Sequence, residues 1–114
     1  MAFQMALGSG TDSGLVATAV SAAGTTQGTA TTLTAQCSTV TTVASGAGVI
    51  LHPLLASAEE QVVFNGGANA LKVYPVSGMQ INALPVNTAM LLGTNTGCIF
   101  KCVSSTQVFG VLSA

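Results

Sequence analysis

Residues 61–112 read QVVFNGGANA LKVYPVSGMQ INALPVNTAM LLGTNTGCIF KCVSSTQVFG VL. Five short apolar runs recur in this stretch: Gln61 to Phe64, Leu71 to Tyr74, Val86 to Leu92, Cys98 to Val103 and Gln107 to Leu112. Between them stand Asn65-Gly66-Gly67, Ser77-Gly78, Asn95-Thr96-Gly97 and Ser104-Ser105, residue types that accept tight-turn backbone. Runs of this length and spacing predict the strands of an antiparallel sheet, with a hairpin turn at Asn65 to Asn69. In Leu71-Lys72-Val73-Tyr74 the apolar pair and the polar pair alternate, as in a sheet with one wet side. Cys98, Phe100 and Cys102 alternate with Ile99, Lys101 and Val103, so both faces of that strand are apolar, and one of them is expected to meet another sheet or subunit.

Upstream, residues 30–43 are rich in Thr, whose branched Cβ suits a pleated surface with one polar face; Ser38 reads as a break between two strands. Val49-Ile50-Leu51 reads as a buried strand ended by Pro53, and residues 56–60 as a loop. The expected fold is therefore all-β: an antiparallel β-sandwich or small barrel of seven to nine short strands. In residues 1–27, glycines at 8, 10, 14 and 24 interrupt every window long enough for an element. The division expected is an extended N-terminal arm, residues 1–27, and an antiparallel β domain, residues 28–114. Interface candidates are Phe3, Met5, Leu7, Leu15 and Val16 on the arm, with Tyr74 and Met79 beside the Pro75 turn.

Charge is nearly absent. Of 114 residues only Asp12, Glu59, Glu60, Lys72 and Lys101 are ionic, 4% against about 25% in an ordinary soluble domain. A monomer this poor in charge has little to repel its copies, so an assembly with protein neighbours is expected. Two cations cannot supply the clustered Lys and Arg that nucleic acid requires. Although mean hydropathy is +0.68, no run of 18 apolar residues predicts a membrane-spanning helix. No basic stretch precedes Asp12, so an uncleaved intracellular product is expected rather than a secreted one.

Catalytic vocabulary is equally thin. His52 is the single histidine, and nothing orders it with Ser57, Glu59 or Glu60 into a relay. Cys37, Cys98 and Cys102 read as reduced, small apolar residues. Cys98 and Cys102 share a strand face but lie about 13 Å apart, too far for a disulfide. The Gly-rich strings lack the Lys-Ser or Lys-Thr of a phosphate loop. No catalytic residue, cofactor or metal is expected, and the chain reads as non-enzymatic.

The string AAGTTQGTATTLTAQCSTVTTVASGAGVIL (22–51), followed by VVFNGGANALKVYPVSGMQIN (62–82) and an apolar strand after SSTQ (104–107), resembles a small β domain of tailed-bacteriophage virion proteins. Its more specific parts are Asn65-Gly66-Gly67-Ala68-Asn69-Ala70-Leu71-x-Val73-Tyr74-Pro75 and Gly78-x-x-Ile81-Asn82. Phe109 stands near where an aromatic such as Trp often sits in the pattern. The resemblance implies a virion structural protein on the capsid exterior, made in the host cytoplasm. It implies a homo-oligomer, with a trimer favoured, whose partner is the major capsid protein or another virion protein. The function expected is capsid decoration, cementing the head; a head- or tail-fibre tip module binding a host-surface glycan is the alternative.

Overall fold

The computed structural model describes residues 16–52 and 60–113. Among them are ten strands and a single 3-10 turn at Gln27–Thr29. In chain order the strands are β1 Val16–Ser21, β2 Thr31–Thr32, β3 Cys37–Thr42, β4 Gly48–Ile50, β5 Glu60–Asn65, β6 Leu71–Tyr74, β7 Gln80–Ile81, β8 Met90–Leu92, β9 Thr96–Cys102 and β10 Gln107–Leu112. No helix among the described residues is long and apolar enough to cross a membrane.

The fold is all-β, but it is not the antiparallel sandwich or barrel expected. Successive strands alternate between two sheets, ordered β1-β3-β5-β9-β10-β7 and β2-β4-β6-β8. Within each sheet the first three strands pair in parallel. The backbone therefore winds as a short β-solenoid, each rung contributing one strand to either sheet. Val16 lies beside Cys37 and Cys37 beside Val62, so rungs advance by 21 and then 25 residues. The hairpin expected at Asn65 to Asn69 is instead a corner, since β5 and β6 belong to different sheets. Only after β6 does the chain reverse: β8 runs antiparallel to β6, and β9 antiparallel to both β5 and β10.

Period-2 patterning then places the core. Val40, Val63, Cys98, Phe100 and Val108 point inward from the six-stranded sheet, against Val49, Leu71, Val73 and Leu92 from the other. Each is at most 2% exposed, and burial of such side chains contributes about 1.5–3 kcal/mol apiece for the larger ones. Ser38 is not a break; it sits inside β3, also facing inward.

The Asn65–Pro75 segment is corner chemistry. Asn65 is fully buried, with Nδ2 donating to the carbonyls of Asn69 and Leu92 (both 2.9 Å) and Oδ1 accepting from the Gly67 N–H (2.9 Å). Asn69 Nδ2 donates to the Val43 carbonyl of the preceding rung's corner (2.8 Å). Gly67 lies against Val43, where a Cβ would come within 2.5 Å of Cγ2. Tyr74 covers Gly48, whose absent Cβ would fall 2.9 Å from its ring, and its hydroxyl donates to the Thr25 carbonyl (3.2 Å). These residue types are explained by rung-to-rung packing.

The expected arm is described only from residue 16 onward. Val16–Ser21 is the edge strand of the larger sheet, paired in parallel with β3. Beyond it, Ala23 bridges Gly48, and Gln27 Nε2 donates to the Pro75 carbonyl (2.9 Å).

Candidate interaction surface

The outward residues of β5, β9 and β10 line up across the ladder. Val62 pairs with Ile99 and Ile99 with Val111, giving one apolar row over three strands. On one side of this row Phe64 pairs with Gly97, and the missing side chain at Gly97 leaves room for the Phe64 ring, about 3.4 Å from where a Cβ would stand. Val62, Phe64, Gly97, Ile99, Val111 and Leu112 contribute to the lining of a groove of about 260 Å³. On the other side of the row lie Glu60, Lys101 and Phe109, again in register.

Their exposure sets this face apart. Phe64 is 39% exposed, Ile99 45%, Phe109 50% and Val111 67%. Single exposed apolar residues are ordinary, whereas a contiguous patch marks a contact surface. The one ion pair here, Lys101 Nζ to Glu60 Oε2 at 3.6 Å, is solvated at both ends and adds little stability.

The expected interface residues are not gathered on this face. Phe3, Met5, Leu7 and Leu15 lie outside the described residues. Val16 is exposed on the edge strand, Met79 is half-buried against the core, and Tyr74 is buried over Gly48. Tyr74 does share the outer side with Lys72, as the alternation predicted, but its ring lies over Gly48 and its hydroxyl reaches the Thr25 carbonyl, which leaves it only 7% exposed. The apolar outer face of β9 did leave a trace in the sequence, in the Ile99-Lys101-Val103 alternation. What the sequence did not reveal was that Val62 and Val111 flank Ile99, because strand neighbours are set by the winding.

His52 follows β4, half-buried, and its backbone N–H donates to Oε1 of the buried Gln61 (2.8 Å). Glu59 and Ser57 lie outside the described residues. Among the described residues no three His, Cys, Asp or Glu side chains gather in a metal-binding group.

All three cysteines are free, but only two are core residues. Cys98 and Cys102 are buried, while Cys37 is exposed at the β3 end of the Val62 row. Burial pushes the Cys98 thiol from 9.0 up to about 11, partly offset by a backbone hydrogen bond from Val111. Because the folded value lies above the unfolded one, this thiol costs no stability below about pH 9, and the fold loses stability as pH rises from there to about 11. Urea midpoints measured across that window are expected to fall in the wild type, and to fall less steeply in Cys98→Ala. In the native protein, Cys37 alone should react promptly with a disulfide reagent.

No family model, curated protein or solved structure matches this chain.

Proposed function

We propose that this chain is a non-enzymatic structural component of a virion, a decoration protein that binds a tailed-bacteriophage capsid lattice and associates with its own copies there. The carrying observation is the surface: five ionic side chains in 114 residues, together with a contiguous apolar patch on the outside of the larger sheet. Such a surface gains free energy by being covered with protein. At roughly 25 cal/mol per Å², a patch on the order of 400 Å² gives on the order of 10 kcal/mol gross per copy. That is comparable to the cost of immobilising one partner, so association is favourable where the patch meets another apolar surface and both are buried together. The sequence resemblance to virion β domains supports the same reading.

Residues 1–15, carrying Phe3, Met5, Leu7 and Leu15, are the segment proposed to grip the lattice. A truncation at this point leaves β1 in place, and so separates gripping from folding. Purified full-length protein should co-sediment saturably with capsid shells of the phage that encodes it, while the truncated chain keeps its β-sheet circular dichroism and loses most of the binding. Undiminished binding by the truncated chain would discard the gripping role; failure of the full chain to bind shells would discard the function.

A further inference from the structure

We propose that the outer face of β5, β9 and β10 is the docking site for a second copy of this chain, packed sheet against sheet about a two-fold axis. The inference rests on the self-association in the reading above, gives it a two-fold contact in place of the trimer that the resemblance favours, and names the surface that carries it.

Size is the first argument. The exposed parts of Phe64, Ile99, Phe109 and Val111 make an apolar patch on the order of 400 Å², within the range of a monomer's largest and often functional patch. A standard stable interface takes roughly 800 Å² per partner, so the apolar patch supplies about half of it and the polar residues around it complete the contact. An apolar centre with a polar rim is also how such interfaces are built.

Charge is the second. Among the described residues the charged side chains on this face are Glu60 and Lys101, adjacent in the ladder and opposite in sign. In a two-fold contact, any approach of Glu60 in one copy to Lys101 in the other is repeated in reverse. The face is therefore self-complementary: a second copy can cover it without opposing like charges. A strongly acidic or basic partner would find no matching field.

Shape is the third. Three strands held by continuous ladders present Val62, Ile99 and Val111 in one row, which forms a wall of the groove at Gly97. An isologous contact brings this row and groove of one copy against the same features of the other, ridge and hollow together.

The test uses the full chain in solution, without particles, so that its outcome is independent of shell binding. Sedimentation velocity over a concentration series should show the wild type associating. Ile99→Lys and Val111→Lys each place a cation in the centre of the contact, at positions exposed enough to spare the fold. Each should raise the dissociation constant about a hundredfold, as loss of a central anchor does. Leu91→Lys, on the exposed side of β8 in the other sheet, should leave association unchanged, and all three variants should retain the wild-type circular dichroism. A wild type that stays monomeric at its highest soluble concentration would overturn the proposal. So would lysine variants that associate like the wild type, or a Leu91→Lys variant that weakens association equally.

Discussion

Replacing Asn65 with alanine is expected to lower the unfolding free energy by about 4 kcal/mol, read as a shift in urea midpoint at unchanged slope. Three hydrogen bonds disappear together in a site closed to water: those to the Asn69 and Leu92 carbonyls and the one from the Gly67 N–H. Each buried group left without a partner costs about 1–3 kcal/mol, which puts the substitution in the upper tail of single changes. Asn65→Asp separates the two halves of the effect. It keeps an acceptor for the Gly67 N–H but turns an ionised oxygen toward two carbonyls. The folded state then favours the protonated acid, so this variant's deficit against the wild type should shrink on acidification through the carboxylate range. A pH-independent deficit would mean that the donor side of Asn65 contributes little.

Phe100→Ala is the second large effect, about 3–5 kcal/mol. The ring is fully buried and leads the closed side chains of the core by volume. Its edge packs on Gly110 of the neighbouring strand, where a Cβ would fall 3.1 Å from the ring and 3.0 Å from Cys98 Sγ. Gly110→Ala alone should therefore cost about 1–3 kcal/mol by overpacking, and less in the Phe100→Ala background, where part of the crowding is gone. Strict additivity in that double-mutant cycle would contradict the contact.

Much of the fold was legible because period-2 alternation reports burial directly. Leu71–Tyr74 and Gln107–Leu112 are strands with the bounds read from the sequence, and β5 and β9 differ only at their ends. Val86 to Leu92 was over-read: only Met90–Leu92 is strand, while Asn87 takes a left-handed backbone and its Oδ1 accepts from the Gly78 N–H (2.7 Å). The winding was hidden for a different reason. Alternation says which face a residue takes but not which strand lies beside it, and rungs of 21 and 25 residues are too unequal to show as a repeat. Turn residues misled for the same reason, since Asn65-Gly66-Gly67 serves a corner between sheets as readily as a hairpin within one. Of the contact surface, the sequence held one strand, β9. Assembling it with Val62 and Val111 took the chain reversal after β6.

That reversal also sets the order in which the molecule is sealed. During synthesis the second and third coils can each settle on the one before, but the neighbour that occupies the free edge of β5 is β9, made some thirty residues later. Until it emerges, a nascent chain ending near Tyr74 presents an open ribbon of backbone donors and acceptors beside uncovered Val63, the kind of edge on which chains aggregate. Ribosome-stalled lengths that stop before Thr96 should accordingly be the ones most in need of a chaperone.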